Sequence, residues 1–292
     1  MRAHKPKNID QKLERCSSHI AEDPSSLRGR WAESRGMPGA EIRLDIGCGK
    51  GSFLKDTALA EPDALFVGLD VEDICVLMSA RHAKEAGVDN AVFFIGRAED
   101  LPQIFAPGEL STIYLNFCTP MPPAKCADRR LTYAERLVEY RSLLDEGGRV
   151  LMKTDSQPFF DWSLGQFGLA GYRIEWQTDD AHRDGLAGAL TDVEAKLLSK
   201  GAKVSALEAV PEGDVPPVRE QTGPMSLVDF LPEDLENMDY VPYGMEDTVT
   251  NIVNRRKNEA EKAARHAARG EGNSTPGSTM PGDGCGGRVR DA

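Results

Sequence analysis

Glu41-Ile-Arg-Leu-Asp-Ile-Gly-Cys-Gly-Lys-Gly51 runs from a short apolar strand into three glycines at alternate positions, and then into a helical pattern. Glycine tolerates backbone conformations and close approaches that a side chain forbids, so Gly47, Gly49 and Gly51 let the chain turn tightly against a ligand at the strand's carboxyl end. A dinucleotide fingerprint, G-x-G-x-x-G, needs glycine at position 52, where this chain has Ser52. Asp45 stands two residues before the first glycine, where a strand-end carboxylate meets a cationic group better than a pyrophosphate. That combination favours S-adenosylmethionine, whose amino-acid end is charged and which carries no phosphate. An ordinary glycine-rich strand-to-helix turn is the plainer alternative, because short glycine patterns recur by accident.

The following segments favour the cradle. Leu65-Phe-Val-Gly-Leu-Asp70 is a second apolar strand. It ends in a carboxylate about twenty residues past the glycines, where an acidic side chain can take both ribose hydroxyls. Asp70 is therefore the expected adenosine anchor. Ala91-Val-Phe-Phe-Ile-Gly96 reads as a third strand, and the turn after it places Arg97 and Ala98 beside the base, mainly through backbone. Ser111-Thr-Ile-Tyr-Leu-Asn-Phe117 is a fourth strand whose carboxyl end, with Asn116, adjoins the same ligand. The expected cofactor set is thus Asp45, Gly47, Gly49, Asp70, Arg97, Ala98 and Asn116.

Around this region the chain alternates strand-length and helix-length patterns. Strands are predicted over 42–46, 65–69, 91–95, 111–117, 148–153, 172–177 and 203–209, and helices over 51–60, 73–86, 132–144, 157–169 and 190–200. This is the pattern of a sheet with helices on both faces. Alternation at Lys203-Val-Ser-Ala-Leu-Glu-Ala predicts a late antiparallel edge strand. The expected organisation is a basic arm over 1–40, one α/β domain over 41–210, an acidic proline-rich linker over 211–250, a charged helix over 251–269 and a disordered tail over 270–292. The linker's Leu227-Val-Asp-Phe-Leu231 and Tyr240-Val-Pro-Tyr243 stretches are open between docking on the domain and recruiting another protein.

With 40% hydrophobic residues in 292, the chain can bury a substantial core. No apolar run is long enough to span a membrane and Met1 to Asp10 is polar, so neither a membrane partner nor a signal peptide is expected and the cytoplasm is inferred. Six cysteines without a C-x-x-C pair or neighbouring histidines predict free thiols and no metal. A net charge of -12 argues against nucleic acid at first sight. The acidity is uneven, however: residues 1–40 carry eight basic and five acidic side chains, whereas 211–250 carry one and ten. A local basic face is compatible with that distribution.

After the fourth strand, Met121-Pro-Pro-Ala-Lys-Cys-Ala-Asp-Arg-Arg-Leu-Thr132 forms a stiff basic loop. Lys125, Arg129 and Arg130 are suited to phosphates next to a reacting base, the guanidinium forks giving directional contacts. A solvated helix start capped by Thr132 is the alternative.

Taken together, Asp45-Ile-Gly-Cys-Gly-Lys-Gly51, Tyr114-Leu-Asn-Phe117, Arg129-Arg-Leu-Thr132, Leu151-Met-Lys-Thr-Asp155 and Thr191-Asp-Val-Glu-Ala-Lys-Leu197, in this order, resemble the bacterial tRNA (guanine-N7)-methyltransferase family over about 42–209. The resemblance implies a Rossmann-like class I S-adenosylmethionine-dependent methyltransferase fold, with a seven-stranded, mostly parallel α/β sheet. It also implies methylation of a guanine in the variable loop of tRNA. It assigns Asp45 and Asp70 to the cofactor, Asp155 to the substrate, and Thr191 with Glu194 to the guanine site. The family's Pro-Asp-Pro-Trp is replaced here by Cys118-Thr-Pro-Met121, so Thr119 stands at the usual catalytic aspartate. Arg97 replaces an acidic residue and Val193 the aromatic of Thr-x-Tyr-Glu. These departures bear on substrate positioning more than on the cofactor. A methyltransferase of another substrate and a non-catalytic tRNA- or partner-binding homologue are the competing readings. Oligomeric state is not legible from the chain.

Overall fold

The structure is a computed structural model that describes residues 8–215, 217, 221 and 223–271. Its centre is a seven-stranded sheet in the order β3-β2-β1-β4-β5-β7-β6. The strands are β1 (Ile42–Ile46), β2 (Leu65–Asp70), β3 (Ala91–Ile95), β4 (Leu110–Asn116), β5 (Leu144–Thr154), β6 (Tyr172–Thr178) and β7 (Ser205–Pro211). The first five are mutually parallel, and β7 runs antiparallel to β5 and β6. This is a Rossmann-like α/β sheet. The order reverses between β1 and β4, the switch point at which such sheets open a crevice beyond their carboxyl ends.

Continuous burial along β2 and β4 follows from helices on both faces. Among the described residues the helices of the domain are α1 (Ile9–Glu14), α2 (Trp31–Ser34), α3 (Ser52–Ala60), α4 (Asp73–Ala86), α5 (Leu101–Ile104), α6 (Ala134–Leu143), α7 (Gln157–Leu169) and α8 (Asp192–Leu198). Helix α4 ends on Gly87 in the left-handed conformation, which lets the last carbonyls of the helix be satisfied before the chain turns to β3. Helix α7 begins with Ser156, whose hydroxyl accepts from the Phe159 amide, and with Pro158 in the first turn.

Three expectations are corrected. The antiparallel strand is not an edge: β7 lies between β5 and β6, so its residues alternate less and are buried more than an edge strand's. Strand β5 starts at Leu144, earlier than 148, because the chain passes from α6 into pairing with Leu110 without an intervening loop. The stretch read as a basic arm is packed where it is described. Trp31 is fully buried, stacks on Phe105 at 5.2 Å and donates from Nε1 to the Ile104 carbonyl, and Ile20 bridges Phe93 on β3. Trp31→Ala should therefore cost about 3 kcal/mol in a denaturant titration, the usual range for deleting a buried aromatic.

The chain divides into two units, Met1–Val249 and Thr250–Ala292. Residues described between 223 and 249 belong to the first, so the stretch read as a linker docks on the domain rather than leaving it. The charged helix is present as α9 (Glu246–Glu271). Of the tail predicted over 270–292, residues 272–292 lie outside the described residues, as do residues 1–7 of the arm. Among the described residues no helix is long and apolar enough to cross a membrane.

Candidate active site

The carboxyl ends of β1, β2 and β4 meet at the switch point, and the loop after β1 closes over them. Gly47, Gly49 and Gly51 all adopt positive φ, at 81°, 57° and 77°. Leucine 69 anchors the turn, its carbonyl accepting from the amides of Gly47 and Cys48. A Cβ on Gly47 or Gly49 would project into open space, which is the geometry of a cradle whose walls a ligand supplies. Gly51 differs. A Cβ there would lie 2.7 Å from Ser79 on α4, so this glycine allows close helix packing. Gly51→Ala should destabilise by about 2 kcal/mol, combining left-handed strain with overpacking; chemical denaturation at an unchanged cofactor Kd is the check.

Asp45 is buried at the end of β1 and accepts from Asn116 Nδ2 at 3.3 Å. Burial pushes its carboxyl up to about 7, against the lowering effects of Asn116 and the Lys153 charge. A buried carboxylate so poorly compensated at a strand end is an acceptor that a donating ammonium group would complete. Asp70, half-buried on β2, accepts from the Gly49 amide through Oδ2 and from the Glu72 amide through Oδ1. Desolvation raises its carboxyl from the ordinary value. Asp70 thereby ties the glycine loop to β2, and each oxygen keeps a further lone pair for a hydroxyl. The amide of Gly96 donates to the Asp70 carbonyl and brings the turn after β3 to the same edge, with Ala98 buried and the Arg97 side chain exposed. The residues fit S-adenosylmethionine: a cationic end at Asp45, hydroxyls at Asp70, and open glycine walls between.

On the other side of β4 the residues expected to meet the substrate are placed in different surroundings. Thr119 is exposed, between Phe117 at φ 50° and Met121 at φ 47°. Two bulky residues in left-handed backbone within five positions mark a turn held in place by its surroundings. Lys125 and Arg129 are exposed on the following 3-10 turn, Ala124–Arg129. Arg130 is not available to phosphate. Its guanidinium is buried and donates to the carbonyls of Pro120, Met121, Pro122 and Met225, and it lies 4.3 Å from the Trp162 ring centre. Burial pulls it down to about 10, still far above neutrality.

Glu194 is likewise corrected as a direct substrate ligand. It is fully buried, with Oε2 bound to Lys153 Nζ at 2.9 Å and Oε1 to His182 Nε2 at 2.9 Å. With Thr191 it forms a reciprocal capping box at the start of α8. Lys153 also donates to the Ala187 and Ala189 carbonyls and lies 5.2 Å from the Phe53 ring, so it joins β5, α8 and α3. Asp155, just beyond β5, is buried, and its Oδ2 accepts from the Tyr240 hydroxyl and the Tyr243 amide, both at 2.6 Å. The sequence reading gave no site role to Lys153, His182, Tyr240 or Tyr243, although it named Lys153 within a motif and the two tyrosines within a docking stretch. A lysine inside an otherwise buried strand was the readable signal for the first, because such a lysine requires a carboxylate. The tyrosines lie about 85 residues from Asp155, beyond any local pattern.

Among the described residues no group of histidine, cysteine, aspartate or glutamate is arranged to hold a metal ion. Residues 40–207 match a family model described as "Putative methyltransferase". The chain is 34% identical over 200 residues to the tRNA (guanine-N(7)-)-methyltransferase of Geobacillus kaustophilus, covering 68% of this chain and 92% of that one. It is 32% identical over 210 residues to the enzyme of the same name from Streptococcus suis, covering 72% and 99%. Among solved structures, the 16S rRNA methyltransferase KamB is similar at a TM-score of 0.46 and 16% identity, covering 72% of this chain and 97% of that one.

Proposed function

The chain belongs to the tRNA (guanine-N7)-methyltransferase family, and from that premise we propose that it transfers a methyl group from S-adenosylmethionine to N7 of a guanine in the variable loop of tRNA. The observation that carries the reading is the pairing of the open glycine cradle with the buried, under-compensated carboxylate of Asp45. Bound there, the cofactor supplies an electrophilic sulfonium methyl. Gly47 and Gly49 give it room, Asp45 and Asn116 take its charged end, and Asp70 takes its ribose.

Guanine N7 already carries a lone pair, so the residues must align and desolvate the base but need not remove a proton from it. This is why threonine at position 119 is compatible with chemistry. Thr119 is exposed at the carboxyl end of β4 and offers a hydroxyl to the base, without a carboxylate's charge. Lys125 and Arg129 supply the phosphate contacts, while Arg130 shapes the loop that presents them. A tRNA substrate assigns the protein to the cytoplasm in this reading.

Incubating the purified protein with labelled S-adenosylmethionine and unmodified tRNA should yield N7-methylguanosine, and no incorporation into any tRNA would end the proposal. Reversing both exposed charges, Lys125→Glu with Arg129→Glu, should weaken tRNA binding at every sequence and make the slope of log K against log salt shallower by about two. Cofactor affinity should not move. A salt slope equal to that of the native protein would remove the two residues from the interface.

A further inference from the structure

The family match ends at residue 207, yet residues well beyond it reach the substrate end of the site. The peptide 240–245 crosses the ends of both β4 and β5. A Cβ on Gly244, at φ 77°, would lie 2.9 Å from Pro120, beside Thr119, and Met245 Sδ accepts from the Ser156 hydroxyl at 3.2 Å. The ring of Tyr240 packs against the cluster of Phe117, Ala181, Leu197 and Val204, together with Val193. Val193 is the position at which the family pattern carries an aromatic, and the extension places the Tyr240 ring against the same cluster that Val193 packs on.

Polar geometry at Asp155 gives this ring a role beyond packing. Both donors, the Tyr240 hydroxyl and the Tyr243 amide, engage the same oxygen, Oδ2, and Oδ1 lies outside both bonds. Two donors on one oxygen fix the rotation of a carboxylate and leave its second oxygen with a defined direction. Guanine carries adjacent N–H donors on its Watson–Crick edge, the complement of such an acceptor.

We propose that Tyr240 is a positioning residue for the guanine: with the Tyr243 amide it pins one oxygen of Asp155, so that the other accepts from the donor edge of the base. This rests on the tRNA-methylating function proposed above. Burial raises the Asp155 carboxyl above its ordinary value and the Glu246 charge adds to this, while the Tyr240 hydroxyl, the Tyr243 amide and the amide of Asp155 itself favour ionisation. Tyr240 is held protonated by burial and by the Asp155 and Glu246 charges, so it remains a donor.

The test uses the full chain with Tyr240→Phe, which keeps the ring in its cluster and removes only the hydroxyl. kcat/KM for tRNA should fall about tenfold, the size expected for one charge-assisted hydrogen bond. The acid limb of its pH profile should move to higher pH, because a donor that favours the ionised carboxylate is gone. The cofactor Kd should be unchanged. A variant with native kcat/KM and an unmoved acid limb overturns the proposal. An equal loss of cofactor affinity also overturns it, since that reports general damage. If the native chain methylates no tRNA, the function and this inference fall together; if it does and Tyr240→Phe matches it, the inference alone falls.

Discussion

Replacing Arg130 by alanine should abolish tRNA methylation, leave the cofactor Kd within about twofold, and cost about 4 kcal/mol of stability. The magnitude follows from what the guanidinium satisfies. Four backbone carbonyls, those of Pro120, Met121, Pro122 and Met225, take its donors, and each stranded buried acceptor costs about 1 kcal/mol or more. Loss of the contact with Trp162 adds to this. Three of those carbonyls belong to the loop that follows Thr119 and the fourth belongs to the C-terminal extension, so a single side chain joins the two pieces at the substrate end. The Leu227 amide also donates to the Pro122 carbonyl at 3.0 Å, a single backbone bond that cannot hold the loop alone. Arg130→Lys should recover little, because an ammonium carries its donors on one atom and cannot span four carbonyls. The decisive measurement pairs urea unfolding with calorimetric titration of the cofactor and a single-turnover tRNA assay. Stability within 1 kcal/mol of native, or undiminished methylation, would remove Arg130 from this role.

Cofactor binding should weaken about tenfold for each pH unit below about 7, and Asp45→Asn should weaken it at least a hundredfold at pH 8 while flattening that dependence. The sign is set by which form each state prefers. In the free protein burial holds the Asp45 carboxyl near 7, whereas the ammonium end of the cofactor binds its ionised form. Below pH 7 binding must therefore expel a proton, and above it no proton need leave. The same shift predicts the opposite effect on folding. Asp45 has a raised carboxyl in the folded state, so between about pH 4 and pH 7 the unfolded chain has lost a proton that the folded chain retains, and its contribution to stability declines as pH rises through that window. Asp45→Asn should accordingly melt at a higher temperature than the native protein at pH 8 without cofactor, although it binds cofactor poorly. Titrations in two buffers of different ionisation enthalpy would count the protons released. A pH-independent Kd between 6 and 8 would show that Asp45 does not meet the charged end of the ligand.

The cofactor half of the site was legible because its determinants are local. Gly47, Gly49 and Asp45 lie within five residues, and Asp70 follows at the end of the next strand in the parallel order. Glycine spacing and apolar runs report backbone geometry directly, and Gly47, Gly49 and Gly51 do take positive φ at the end of β1. The substrate half was less legible. Arg129 and Arg130 are adjacent and chemically identical, but one is exposed and the other buried under four carbonyls, a distinction made by Pro120–Pro122 and Met225. Glu194 was assigned to the guanine site by resemblance, but its two oxygens are taken by Lys153 Nζ and His182 Nε2.

The alternating strand and helix pattern determined a mostly parallel sheet covered by helices and the glycine turn after its first strand, because each depends on short-range periodicity and backbone freedom. Only the tertiary structure decided which charged side chains are spent on holding the site together, and that Tyr240 and Tyr243 return to Asp155. Those outcomes depend on burial and on pairing between residues far apart in the chain, where the cost of an unpaired polar group, rather than any sequence spacing, selects the partner.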